Sequence, residues 1–180
     1  MDKKVIFAVD PGTKCSGYCV MRPQNYALLE FGWLENREVL EKLDQYVSSL
    51  GGWVAYEKVQ SYGNLIGQDV LETTEFCGEI RGFCKGRPTL KGVPVYGTPR
   101  KTVLAKLLRN PNAGKSSCRR YVLDYYHSIA EDRNFKIASK GMEPMIGVKN
   151  DQGYLYGVNV HSIDAILLAL YIRDYQVIPF

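Results

Sequence analysis

Apolar and polar positions along this chain follow two different periods, and the switch between them marks out its elements. Val5-Ile6-Phe7-Ala8-Val9 is an unbroken apolar run that ends in Asp10, and Pro11-Gly12 then turns the chain away. Such a run reads as a strand buried on both faces, here over about residues 4–10. Tyr18 to Met21 reads as a second strand and Tyr26 to Leu34 as a third. The short turns between them predict an antiparallel meander. From Glu35 to Leu50 the period lengthens, and Val39, Leu40, Leu43, Tyr46, Val47 and Leu50 form one helical stripe. Gly51-Gly52 ends that helix. Trp53 to Tyr56 is an apolar strand that runs into Glu57.

Residues 67–86 read as the next helix, with Val70, Cys77, Ile80 and Cys84 on its stripe. Gly78, Gly82 and Gly86 recur every four residues on one side. Each glycine costs a helix about 1 kcal/mol relative to alanine. Close approach of another backbone offsets that cost, either in the core or across a dimer interface. Val93 to Tyr96 is a strand, Pro99 begins a helix ending near Asn110-Pro111, and Lys115 to Arg133 is a further helix. Met145 to Val148 and Tyr154 to Val158 are expected to pair as a hairpin across Asn150 to Gly153. The last helix runs from near Ser162 to about Tyr175, with Ile163, Ile166, Leu167, Leu170 and Tyr171 facing inward. Strands joined through helices become parallel by right-handed crossovers. The expected fold is therefore α/β, a mixed sheet with helices on both faces.

Composition narrows this picture modestly. A length of 180 residues with 46% hydrophobic content suits one domain spanning 1–180. There is no apolar run long enough to cross a membrane and no apolar core of a signal peptide near the start, so the cytoplasm is the expected location. Five cysteines without a CxxC pair suggest neither a zinc ribbon nor a disulfide framework. Cys77 and Cys84 would stand roughly 10 Å apart along a helix, too far for a disulfide. The net charge of +4 decides little by itself. Its distribution is more telling: Arg100, Lys101, Lys106, Arg109, Lys115, Arg119 and Arg120 fall in one stretch free of acidic residues. Such a stretch is either a solvated face or a surface for phosphates.

The candidate chemistry is acidic. Asp10 ends the first strand, and Glu57 ends the core strand reached through the first helix. If those strands are neighbours, the two carboxylates stand together at the carboxyl end of the sheet, where open α/β sheets place their sites. His161 and Asp164 lie three apart at the start of the last helix and project on nearly one face. Three carboxylates and an imidazole make an oxygen-rich cage for Mg²⁺ or Mn²⁺. A pair of such ions about 3.5–4 Å apart clamps a phosphodiester for in-line attack by water. Each residue has a plainer explanation as well. Asp10 could cap its turn, Glu57 could sit at a solvated strand end, His161 could cap or pack, and Asp164 could answer the helix dipole. These weaken together, because one fold would bring all four to one place.

Asp10-Pro11-Gly12-Thr13 with Gly17-Tyr18, then Tyr56-Glu57, then His161-Ser162-Ile163-Asp164-Ala165 resemble the motif series of the RuvC-type Holliday-junction resolvases. These belong to the RNase H-like (retroviral-integrase) superfamily, and the resemblance spans almost the whole chain. It implies an RNase H-like five-stranded mixed sheet, three antiparallel strands followed by parallel ones. It implies a homodimeric, Mg²⁺-dependent endonuclease that cuts opposed strands of a four-way DNA junction symmetrically. Asp10, Glu57, His161 and Asp164 would be its catalytic, metal-binding residues, with Mn²⁺ able to substitute and two ions per site. Some members carry aspartate where His161 stands. The helix over 67–86 would form much of the dimer interface. The stretch from Thr98 to Lys115 resembles the family's DNA-facing segment, which makes Lys101 and Lys115, then Arg100, Lys106 and Arg109, the expected phosphate contacts.

Two features depart from the pattern. Bacterial members often carry an aromatic residue three positions after the glutamate, where this chain has Gln60; Tyr62 is the nearest substitute for it. The segment 134–160 is longer than the family needs. Both departures fit a divergent relative, phage or viral in kind. The rivals are a broader flap and fork nuclease, an actin-like or sugar-kinase ATPase, and a DNA-binding scaffold without activity. The ATPase shares an Asp-x-Gly-Thr turn, but 180 residues leave no room for its second domain, so no nucleotide cofactor is expected.

Overall fold

In the computed structural model the described residues are 4–60, 67–133, 158 and 161–176. Five strands form one sheet in the order β3-β2-β1-β4-β5. The central strand β1 (Val5–Asp10) pairs antiparallel with β2 (Cys15–Met21) and parallel with β4 (Gly52–Lys58). β3 (Leu28–Glu35) continues the meander on one side, and β5 (Val95–Pro99) lies parallel to β4 on the other. This is the mixed sheet that the sequence pattern predicts, in the five-stranded RNase H-like arrangement that the resemblance implies.

The pleat divides the core in two. Val5, Phe7, Val9, Tyr18, Val20, Val54 and Tyr56 face α1 (Asn36–Leu50) and α2 (Gln68–Gly86). Ile6, Ala8, Cys19, Met21, Trp53 and Ala55 face α3 (Arg100–Leu107), α4 (Lys115–Arg133) and α5 (Ile163–Tyr175). Both faces of β1 are covered, which is why its sequence is continuously apolar. On the first face Glu30 ties β3 to β2 and α1. It accepts hydrogen bonds from the Tyr18 and Tyr46 hydroxyls at 2.6 and 2.7 Å and pairs with Lys42 at 2.8 Å.

Several boundaries differ from the sequence reading. β3 starts at Leu28 because Tyr26 sits in the turn with a φ of 61°. β5 begins at Val95, after Gly92 with a φ of 84°, and Pro99 closes it instead of opening the helix. α3 stops at Leu107, and Arg109 beyond it adopts a φ of 54°. α5 is the larger correction. It is buried nearly all round, from Ala165 through Ile172, and not along one inward stripe, because α3 and α4 pack over its outer side. The hairpin expected over Met145 to Val158 lies outside the described residues, except Val158, which is buried in the same core as α5. All five cysteines are free thiols. No helix among the described residues is long and apolar enough to cross a membrane.

Candidate active site

The site begins with strand register. Val9 pairs with Tyr56, so Asp10 and Glu57 stand side by side one step further on. Asp10 also pairs with Gly17, Gly17 with Trp33, and Glu57 with Thr98. One row thus crosses the sheet: Trp33, Gly17, Asp10, Glu57, Thr98. Alternation puts Asp10 and Glu57 on the face of Ala8 and Ala55, beneath α5.

The turn after Asp10 is locked from elsewhere. The Gly12 amide donates to Ser16 Oγ at 3.0 Å, and Ser16 Oγ donates to Asn36 Oδ1 at 2.6 Å. Asn36 Nδ2 donates to the Gly12 and Thr13 carbonyls at 3.1 and 3.2 Å. A Cβ on Gly12 would stand 2.2 Å from the Cys15 carbonyl oxygen, so this tight turn requires glycine. The turn's capping is therefore done by Ser16 and Asn36, which leaves the Asp10 carboxylate on the α5 face.

Asp164 arrives from the first turn of α5, and Arg100 from the first residue of α3. The Arg100 guanidinium bridges Asp164 and Glu57, the latter at 3.6 Å, and its other nitrogen lies 3.6 Å from Cys118 Sγ. A cation at a helix N-terminus opposes the dipole. Here the two carboxylates offset that. Burial would lower the Arg100 pKa, but hydrogen bonding and charge attraction from Asp164, with attraction from Glu57, raise it.

One guanidinium does not neutralise three carboxylates. Burial, reinforced by Asp164, pushes the Asp10 carboxyl up to about 7, against the lowering influence of Arg100 and Lys115. Burial, reinforced by Asp10 and Asp164, pushes Glu57 up to about 8, again against Arg100. The cluster is short of positive charge. Hard carboxylate oxygens in this state suit a divalent cation such as Mg²⁺. Among the described residues, however, no three His, Cys, Asp or Glu side chains converge closely enough to hold a metal ion as they stand. The donor chemistry fits a metal, and Arg100 holds two of the donors.

No protein-family model and no curated protein matches this sequence. Solved structures do. The Thermus thermophilus RuvC structure superposes with a TM-score of 0.57 at 18% identity, covering 94% of this chain and 95% of that one. T. thermophilus RuvC in complex with Holliday junction substrate gives 0.54 at 17% identity, with the same coverage. The chain has a RuvC-like fold.

Within this RuvC-like fold, the structure brings Asp10, Glu57 and Asp164 together. His161 lies in the turn before α5, with its backbone over Gly17 and its exposed ring against Trp33, centroids 5.1 Å apart. Lys115, at the start of α4, is close enough for its charge to act on Asp10. Lys101 and Lys106 are exposed on α3, about 140° apart around the helix, and Arg109 is exposed just beyond it. Tyr62 lies outside the described residues.

Arg100, expected from the sequence as a phosphate contact, stands between Glu57 and Asp164, a place that only the start of α3 after Pro99 hints at. The neighbourhood of Trp33 depends on its register with Gly17, which periodicity does not reveal.

Proposed function

We infer that the protein is a divalent-metal-dependent DNA endonuclease that resolves four-way junctions by paired nicks, with the whole chain as one nuclease domain. The observation that carries this reading is the meeting of the partly buried Asp10, Glu57 and Asp164 at one end of the sheet, where desolvation and mutual repulsion push two of the carboxyls up to about 7 and 8. The RuvC-like fold supports it, as does the fact that one structural neighbour is a RuvC complex with Holliday junction substrate.

In this reading Asp10, Glu57 and Asp164 would hold the metal, with His161 as the further ligand expected beside them. Bound there, Mg²⁺ or Mn²⁺ supplies a water of lowered pKa and a counter-charge for phosphate oxygens. Arg100, which bridges Glu57 and Asp164 in the chain alone, would be the guanidinium nearest to an incoming phosphodiester. The His161 imidazole can give or take a proton at the attacking or leaving oxygen. Lys115 guides the backbone from the rim, with Lys101, Lys106 and Arg109 further out and Tyr62 as a further DNA contact. A second copy joins through α2, where no described residue stands within 4 Å of a Cβ at Gly78, Gly82 or Gly86.

Cleavage of a synthetic four-way junction in Mg²⁺ tests the proposal. Asp10→Asn and Glu57→Gln should each abolish cleavage while junction binding persists. Cleavage retained in either variant overturns the assignment. Equal rates on flaps, forks and four-way junctions would replace strict resolution with a broader branched-DNA activity.

A further inference from the structure

Trp33 is the one tryptophan of two that stays in water: it is 50% exposed, whereas Trp53 is 4% exposed. Its position is specific. Paired residues on neighbouring strands share a face, so the pairings Trp33 with Gly17 and Gly17 with Asp10 put Trp33 on the face of the acidic cluster. Two strand spacings separate Trp33 from Asp10, about 10 Å. The intervening position is Gly17, and the His161 backbone lies over it, so the turn before α5 stands between the indole and Asp10. The indole and the His161 imidazole lie 5.1 Å apart with planes inclined at 30°. Together they form an aromatic wall along one side of the cluster. The charged groups Arg100 and Lys115 approach the cluster from α3 and α4.

The wall and the cations differ in what they can recognise. Guanidinium and ammonium groups bind phosphate oxygens. An exposed indole face binds flat rings, and every nucleobase offers one once it is unstacked. Bases inside a continuous duplex are already stacked, and those at a branch point are the ones free to change partners. We propose that Trp33 is a base-stacking platform. It takes an unstacked nucleobase next to the scissile phosphate, while Asp10, Glu57 and Asp164 act on the phosphate itself. This rests on the nuclease reading and adds to it a source of preference for branched over linear DNA.

Tryptophan fluorescence provides the test, since the solvent-accessible emission is that of Trp33. The full-length protein is titrated in Ca²⁺ with a four-way junction or with a linear duplex of equal length, and acrylamide quenching is read in each complex. The junction should shield Trp33 from acrylamide and the duplex should not. With 2-aminopurine placed at nucleotides flanking the branch, one position should be quenched by the protein. That quenching should be lost in Trp33→Ala and retained in Trp33→Phe. Junction affinity should fall roughly tenfold in Trp33→Ala, with duplex affinity almost unchanged. An indole equally open to acrylamide with and without junction overturns the proposal, and this measurement needs no variant. If Trp33 is shielded but the wild type cleaves no DNA, stacking stands and the nuclease reading falls. If the wild type cleaves junctions with Trp33 still accessible, the nuclease reading stands and stacking falls.

Discussion

Gly17 lies directly beneath His161. A Cβ on Gly17 would stand 1.9 Å from the His161 carbonyl oxygen and 3.6 Å from Asp10 Cβ. Only a hydrogen fits between the sheet and the turn that leads into α5. The glycine therefore sets the height of Asp164 above Asp10, and with it the spacing of the acidic cluster.

Gly17→Ala should accordingly do two things. Forcing a methyl group into that gap costs about 1–3 kcal/mol of stability. It also lifts the start of α5, so cleavage should fall further than the loss of folded protein explains. Thermal melts paired with single-turnover cleavage check this. An alanine variant with wild-type melting temperature and rate would show that the turn can move freely.

Arg100 is the cluster's resident cation, and its removal should expose that role. Arg100→Gln leaves three carboxylates facing one another, so the metal-free protein should lose about 1–3 kcal/mol. The same change removes the competitor for Glu57 and Asp164. Mn²⁺ should therefore bind several-fold more tightly in the absence of DNA, and it should restore more stability than it gives the wild type. Calorimetric titration with Mn²⁺ measures the first effect and thermal melts the second. Unchanged or weaker Mn²⁺ binding would refute the exchange of arginine for metal.

The raised carboxyls make stability depend on pH in a definite direction. Asp10 moves from 3.8 to about 7 and Glu57 from 4.5 to about 8. Between those limits the folded chain binds more protons than the unfolded one, so the stability of the metal-free protein falls as pH rises. The contribution is fully present below the ordinary carboxylate range and is gone above about 8. Melting temperature should thus decline from about pH 5 to about pH 8 more steeply in the wild type than in an Asp10→Asn, Glu57→Gln double variant. Mn²⁺ affinity should strengthen over the same window, because metal and protons compete for the same oxygens. Parallel melting curves for the two proteins across this range would contradict the assigned burial.

Much of this was legible in the residues themselves. The run from Val5 to Val9 is apolar on both sides because both faces of β1 are covered, and that alone marks it as central. Asp10 and Glu57 could be placed together because each ends a core strand and period-2 alternation fixes their face. What stayed hidden depends on partners distant in sequence. The burial of α5 all round comes from α3 and α4, whose packing no local pattern records. Arg100 acquires its role only when the β5 register carries it beside Glu57. Trp33 acquires its own only through pairing with Gly17.

The glycine side of α2 gives a prediction whose sign separates two explanations. The sequence allowed close approach of a backbone either in the core or across an interface. Among the described residues a Cβ at Gly78, Gly82 or Gly86 meets nothing within 4 Å, so none of them supplies the close approach. Leu71, on the same helix, is also 49% exposed. If this face is bare in solution, Gly82→Ala should stabilise the protein by about 1 kcal/mol through helix propensity alone. If two copies pack here, the added methyl group holds the helices apart, and the dimer should weaken despite better propensity. Gly82→Arg should then give a folded monomer that no longer nicks both strands of a junction in one binding event. Sedimentation of the wild type and both variants across concentration decides between these outcomes. Unchanged assembly with a higher melting temperature in Gly82→Ala would rule out α2 as the interface.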